Sequence, residues 1–323
     1  MQHTMPTRSH RPRIAITMGD PRGVGPEVVR GALADPSLAD AADYVVLGPS
    51  IEQSDATPAG AGRATYVSVG RWNGGGEEEA GALSAAAVEQ GIAMALAGDV
   101  DGLVTAPISK TALHAAGYEF PGHTEFLRER CGVPDVTMIM ASERTVLGGP
   151  LRVALLTVHV PLRRVPDLLD VELVVRRSTI AARALRDWWG IPRPRLALAG
   201  VNPHASEQGL FGDEEERILA PAAEILAARN DLEVDGIFPA DTVFRRCLDG
   251  SVDVVVVPYH DVGLAVFKTI AGQEGVNVTA GLPFPRTSPD HGTAFDIAGR
   301  NLADPSSMRA AVAECVRFCS RGR

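Results

Sequence analysis

Three apolar runs in this chain end on a histidine set among polar neighbours: Val153-Ala-Leu-Leu-Thr-Val-His159, Leu196-Ala-Leu-Ala-Gly-Val-Asn-Pro-His204 and Val254-Val-Val-Val-Pro-Tyr-His260-Asp261. A catalytic divalent metal with an open coordination position needs three neutral imidazoles, and three strand ends supply them. Taken alone, any one of these histidines is more often a satisfied polar residue at a strand terminus than a ligand. Repetition changes that weighting, because ligands of open α/β sheets bind where buried strands reach the surface. Two of the other histidines, His3 and His10, lie in a polar N-terminal stretch without apolar periodicity. Whether the three meet is decided by the fold and not by their spacing.

The chain has 323 residues, 45% hydrophobic and 22% charged, with room for two domains that share a large core. A formal net charge of -9 argues against nucleic acid or an anionic membrane as the main partner. An anionic substrate would therefore have to be held by local cations. Cys131, Cys247, Cys315 and Cys319 form no CxxC pair, which fits reduced thiols in the cytoplasm. Cys315 and Cys319, four apart, read as helix packing. Residues 1–13 read as a disordered tail without the apolar core of a signal peptide, and no later segment reads as a transmembrane span.

The elements that must position the histidines alternate along the sequence. Arg13 to Gly19 reads as a strand, and Asp20 to Glu27 as a loop turning into a helix, with Pro26 and Glu27 as start signals. Further strands are expected at Tyr44 to Gly48, Gly102 to Pro107, Val136 to Met140, Val153 to Val158, Leu196 to Ala199 and Val252 to Val257. Helices are expected at Leu83 to Ala97, Val171 to Trp188 and Glu214 to Arg229, and Gly60 to Ala82 reads as loop or edge structure. Short continuous apolar strands between helices predict an α/β fold with mostly parallel sheets covered on both faces.

The stretch from Gly275 to Pro305 is long, aperiodic and dense in glycine and polar residues, which suits a binding loop better than a linker. Within it, His291-Gly-Thr-Ala-Phe-Asp-Ile-Ala-Gly299 resembles the cofactor loop of the isocitrate and isopropylmalate dehydrogenase superfamily. Over Ile14 to about Ala311 the chain is similar to the 4-hydroxythreonine-4-phosphate dehydrogenase (PdxA) family. The resemblance is carried by Met18-Gly-Asp-Pro-Arg-Gly-Val-Gly-Pro-Glu27, Thr105-Ala-Pro-Ile-Ser-Lys110, Gly122-His-Thr-Glu-Phe126, Asn202-Pro-His-Ala-Ser-Glu207, Pro239-Ala-Asp-Thr242 and Tyr259-His-Asp-Val-Gly263.

The resemblance implies two α/β/α domains, 14–131 plus 280–323 and 132–279, with the active site in the cleft between them at a homodimer interface. It implies that His159, His204 and His260 bind a divalent metal (zinc, cobalt, manganese, nickel or magnesium), with ligands from both subunits. His123, Thr124, Lys268, Asn277 and Arg286 would contact a phosphorylated substrate. Lys268 and Arg286 suit that role chemically, since arginine grips phosphate bidentately; otherwise both would read as solvated surface charge. The turn Gly19 to Gly25 lacks the G-x-G-x-x-G spacing; the resemblance implies instead that NAD or NADP sits against His291, Gly292, Thr293, Ala294 and Asp296, unless Asp296 merely caps a helix ahead of Ile297. Asp241 and Asp261 are expected to orient histidines or relay the alcohol proton, unless either simply caps a helix or turn, with Lys268 the third catalytic candidate.

Arg22, Ser206, Gln208, Val262 and Ala265 depart from the family's pattern beside proposed ligands. The expected reaction is metal-dependent NAD(P) oxidation of a 4-phosphorylated 3-hydroxy acid, with decarboxylation of the β-keto product. The expected substrate is 4-phospho-hydroxythreonine or a related 4-phosphorylated hydroxy acid such as a phosphothreonate or phosphoerythronate. The alternatives are a cis-dihydrodiol carboxylate dehydrogenase, an NAD-independent metal hydrolase or a non-catalytic binding protein.

Overall fold

The computed structural model describes residues 11–51, 63–120 and 122–321; His3 and His10, and most of the expected tail, lie outside them. The opening strand β1 (Arg13–Thr17) runs into a tight loop and helix α1 (Gly25–Leu33). Gly25 is required there, because a Cβ would stand 2.1 Å from the Met18 carbonyl oxygen. Helix α1 buries Val28, Val29, Ala32 and Leu33 on one stripe, at about 1.5–3 kcal/mol for each large apolar side chain. Strands β2 (Asp43–Ile51) and β3 (Ala64–Trp72) follow, then the long helix α2 (Glu77–Ala97). The stretch read as loop or edge is thus an edge strand plus the first turns of a helix, which three glutamates start at the positive end of its dipole.

Helix α2 is long and apolar enough to cross a membrane, which corrects the expectation that no segment would be; half of its most apolar window is buried in this fold. It packs on β1, β2, β3 and the short helix α3 (Lys110–Ala115). Its alanines and glycines allow that closeness: a Cβ on Gly81 would lie 1.9 Å from the Ala112 carbonyl oxygen of α3. Small residues chosen for helix-on-sheet contact give the same composition as a membrane span.

The chain continues through β4 (Gly102–Thr105), α4 (His123–Arg130), β5 (Thr137–Ser142) and β6 (Leu151–Leu155). Helix α5 (Val171–Ala184) extends through a wider π turn (Leu185–Trp189), followed by β7 (Arg195–Ala199). A second π turn (Glu215–Leu219) leads into α6 (Ala220–Ala227), and then come β8 (Glu233–Phe238), β9 (Val254–Val257) and α7 (His260–Ile270). The stretch expected to be one aperiodic loop from Gly275 begins as a hairpin, β10 (Val276–Ala280) and β11 (Arg286–Pro289), before α8 (Ser306–Arg321) closes the chain.

All eleven strands form one sheet in the order β3-β2-β1-β4-β11-β10-β5-β6-β9-β7-β8. The pairings from β3 to β11 and from β6 to β8 are parallel. The centre is antiparallel, with β10 laced to both β11 and β5, and β5 to β6. Buried parallel strands explain the unbroken apolar runs, Val254 to Val257 being fully enclosed. The four cysteines are free thiols. Cys315 and Cys319 do pack, their sulfurs each 2.7 Å from where a Cβ on Gly102 would stand.

Candidate active site

A cleft of about 340 Å³ opens at the antiparallel centre of the sheet. Thr105 ends β4, His123 and Thr124 open α4, Met138 and Met140 face in from β5, Asn277 from β10, and Arg286 and Ser288 from β11. His159, on the turn after β6, and His260, the first residue of α7, also line it, and α7 adds Lys268 two turns later.

Arg286 is 1% exposed. It donates to Thr279 Oγ1 at 2.8 Å and to Thr105 Oγ1, while its buried Nε has no partner. Burial pushes its pKa down to about 9, still high enough to keep it charged at neutral pH. Beside it, burial first and the Arg286 charge second hold His123 well below the ordinary histidine range, so this ring is neutral. His123 Nε2, Glu125 Oε2, Asn277 Oδ1 and His291 Nε2 are likewise buried without partners. Five of the eight such side-chain atoms among the described residues therefore gather in this cleft. Folded proteins rarely leave buried polar atoms unpaired, so their concentration marks a place for a polar ligand.

The ring centroids of His159 and His260 are 5.7 Å apart. Burial, then Lys110 and, more weakly, His260 lower the His159 pKa against an opposing pull from Glu125, so a neutral ring is favoured. His159 has φ 40°, a left-handed backbone that costs about 1–3 kcal/mol and clusters at functional sites. His260 Nδ1 lies 2.7 Å from Asp261 Oδ1, a contact that puts the proton on Nδ1 and leaves the Nε2 lone pair free. Two imidazoles side by side fit a divalent metal. A smaller cavity of about 170 Å³, walled by Val160, Leu162 and Tyr259, flanks the same pair.

All five residues expected to touch phosphate, His123, Thr124, Lys268, Asn277 and Arg286, line the one cleft, and so do His159 and His260. His204 does not. It is exposed, its Nδ1 is 3.0 Å from Glu207 Oε2, and Phe211 stands edge-on at 6.1 Å. Accordingly, no group of three potential metal ligands forms within one chain among the described residues. Asp241 is exposed on the turn after β8, outside the cleft. Of the expected cofactor residues, His291 and Gly292 line the cleft, and His291 and Ala294 also line an adjoining cavity of about 290 Å³ with Val24, Ile297 and Ala303. The Thr293 carbonyl accepts from Val24 N at 2.9 Å. Asp296 is exposed in a run of turns, so it caps no helix.

Lys110, Glu125 and Asp290 line the cleft too, and none was singled out from the sequence. Lys110 and Glu125 sit inside motifs quoted above, which was the available signal; Asp290 adjoins one. Among the departures from the family's pattern, Ser206 and Gln208 have φ of 62° and 60°, within a left-handed run from His204 to Gln208. Glycine in those two places would carry no such strain.

Comparison with known proteins agrees with this architecture. The family model described as pyridoxal phosphate biosynthetic protein PdxA matches residues 34–315. The chain is 40% identical over 326 residues to a 4-hydroxythreonine-4-phosphate dehydrogenase of Desulfosudis oleivorans, covering 94% of each. Among solved structures it is similar to the 4-hydroxythreonine-4-phosphate dehydrogenase of Klebsiella pneumoniae, with 39% identity, TM-score 0.81, and 95% of this chain and 99% of that one covered. A terephthalate 1,2-cis-dihydrodiol dehydrogenase of Burkholderia xenovorans is more distant, with 29% identity, TM-score 0.66, and 95% and 98% covered. A match of that length to the family model, with relatives of that identity along nearly the whole chain, makes this protein a member of the PdxA family of NAD(P)-dependent dehydrogenases.

Proposed function

We propose that the chain oxidises the hydroxyl of a 4-phosphorylated 3-hydroxy acid, 4-phospho-hydroxythreonine or a phosphothreonate or phosphoerythronate, using NAD or NADP. In this reading a divalent metal is required, and the β-keto acid product is decarboxylated. The observation that carries it is the buried, still charged Arg286, with an unpartnered Nε, beside a neutral His123 whose Nε2 is also unpartnered. A buried charge without a counter-ion costs several kcal/mol, which an incoming phosphate offsets. Thr124 and Asn277 supply further polar contacts, and Lys268, now bonded to the Asp290 carbonyl oxygen at 2.9 Å, swings to the anion.

His159 and His260 hold the metal, and Asp261 orients His260. When both groups are bound, the metal supplies Lewis acidity toward the substrate oxygens and the dinucleotide accepts hydride. His204 and Asp241 follow the adjacent parallel strands β7 and β8 and reach the site of a second copy. Support for that pairing comes from exposed apolar side chains on both sides: Leu210 (72%) and Phe211 beside His204, and Leu162 (65%) and Val160 beside His159. Asp241 would then relay the alcohol proton. The cleft separates two units, 14–131 with 280–323 and 132–279, and the reaction belongs to the cytoplasm.

The second reading, oxidation of a cis-dihydrodiol carboxylate, draws on the likeness to the Burkholderia dehydrogenase; Arg286 would then hold a carboxylate. The hydrolase and binding-protein alternatives have no support in a family of dehydrogenases. The test is NADH formation from a panel of 4-phosphorylated hydroxy acids and cis-dihydrodiol carboxylates, with added divalent metal or with chelator. Chelator-sensitive turnover of a phosphorylated acid is expected. Turnover of the diol alone would transfer the assignment to the second reading, and turnover untouched by chelator would remove the metal.

A further inference from the structure

We propose that Glu27, in the first turn of α1, is the positioning residue for the cofactor loop; this rests on the reading above that the dinucleotide binds against residues 291–296. Residues 291–303 hold themselves together poorly. Their internal backbone hydrogen bonds are Ile297 N to Ala294 O and Arg300 N to Ile297 O, each 3.2 Å. Left-handed backbone recurs at Ala294 (φ 42°), Gly299 (φ 74°) and Asn301 (φ 54°), conformations that cost energy wherever a Cβ is present.

The Glu27 carboxylate reaches across to this segment. Its Oε2 accepts from the amides of Gly299 and Asn301, both at 3.1 Å, and its Oε1 accepts from the amide of Ala303 at 3.3 Å. Two of these donors belong to the left-handed residues Gly299 and Asn301, so one carboxylate fixes both turns, of which the one at Asn301 carries a Cβ in the left-handed region, through charge-assisted bonds. Val24 N bonds the Thr293 carbonyl at 2.9 Å. Arg22, gripped by Asp20 through Nε at 3.0 Å and Nη2 at 2.8 Å, lays its guanidinium over the Phe295 ring at 5.1 Å.

The cavity beside the main cleft takes Ala294, Ile297 and Ala303 from this loop and Val24 from the N-terminal loop. Its shape therefore depends on how the two are tied. Glu27 lines neither the phosphate corner nor the histidine pair. Its effect falls on the dinucleotide and not on the phosphorylated substrate.

The experiment compares Glu27→Ala, Glu27→Gln and Asp296→Ala by NADH fluorescence titration, by KM for each substrate, and by thermal midpoint. Glu27→Ala is expected to weaken NADH binding and raise the dinucleotide KM about 10- to 100-fold, the usual cost of removing a group that orients a ligand-binding one. Its kcat at saturation and its KM for the phosphorylated substrate should stay near wild type. Glu27→Gln, the same size with one acceptor oxygen left, should fall between, and it remains informative if the alanine variant does not fold. Unchanged NADH binding in both Glu27 variants, with weakened binding in Asp296→Ala, overturns the role of Glu27 and leaves the cofactor site standing. Unchanged binding in all three overturns the cofactor site itself. An equal loss of every parameter together with a lowered thermal midpoint makes Glu27 a fold residue and overturns the proposal.

Discussion

The imidazole of His123 is kept uncharged by its burial and by the guanidinium of Arg286 in the same corner of the cleft. A histidine depressed in this way affects stability in one direction. Above about pH 6.5 it is neutral in both the folded and unfolded chains and contributes nothing to the difference. Below that value the unfolded chain takes up a proton that the folded chain refuses, so stability falls as pH drops toward the folded pKa, by up to about 1.4 kcal/mol per pH unit. Urea midpoints at about pH 7.5 and about pH 5 check this. His123→Gln should lose less stability on acidification than wild type, and equal losses would mean that His123 is not held neutral.

Arg286→Met separates binding from folding. Exchanging a buried uncompensated charge for an apolar side chain of similar length is often neutral or stabilising by about 1–4 kcal/mol. Leaving the hydroxyls of Thr279 and Thr105 without their donor costs about 1–3 kcal/mol in the other direction. The thermal midpoint should therefore move by only a few degrees. Inorganic phosphate at about 100 times its Kd should stabilise wild type by about 2.7 kcal/mol and leave this variant unmoved. Equal stabilisation of both proteins would remove Arg286 from the anion site.

A site shared between copies predicts complementation. His204→Ala and His260→Ala should each be inactive as pure proteins. When they are unfolded and refolded together, half of the dimers are mixed and each mixed dimer has one complete site, which gives about a quarter of wild-type activity. No recovery on mixing would place the site within one chain.

Gly81→Ala tests the seam between α2 and α3. Helix propensity favours alanine by about 1 kcal/mol, but the new Cβ would stand 1.9 Å from the Ala112 carbonyl oxygen, and overpacking costs about 1–3 kcal/mol. The steric effect wins, so the variant should unfold at lower urea. A stabilised variant would mean that the two helices slide apart freely.

The sequence announced most of what is buried and little of what is merely adjacent. Val254 to Val257 and Leu196 to Ala199 read as strands because enclosure on both faces leaves apolar runs with no alternation. β3 was legible only as loop or edge structure because it is an edge strand with no fully buried residue. β10 and β11 escaped because Asn277, Arg286 and Ser288, polar residues of the kind that usually mark loops, point from these strands into the cleft. Arg286, in an acidic chain, read equally well as a surface charge; only its place on β11, between β4 and β10 in the sheet, makes it a buried cation. His159 and His260 were found by where their strands end. No periodicity could say that His204 would face away from them, or that five unpaired atoms would converge.

The unbroken sheet sets how this protein can breathe. Were its two halves joined by slack connectors, the cleft could swing open as a door does. Instead β10 is stitched to β5 through Val276 to Ala280 and to β11 through Val276 to Val278, directly beneath the groups meant to hold substrate. Opening must then be spread as a small added coil over many strands, in the manner of a leaf spring. The floor carrying Asn277 and Arg286 belongs to that stitched centre, and β3 and β8 are the two edges of the sheet.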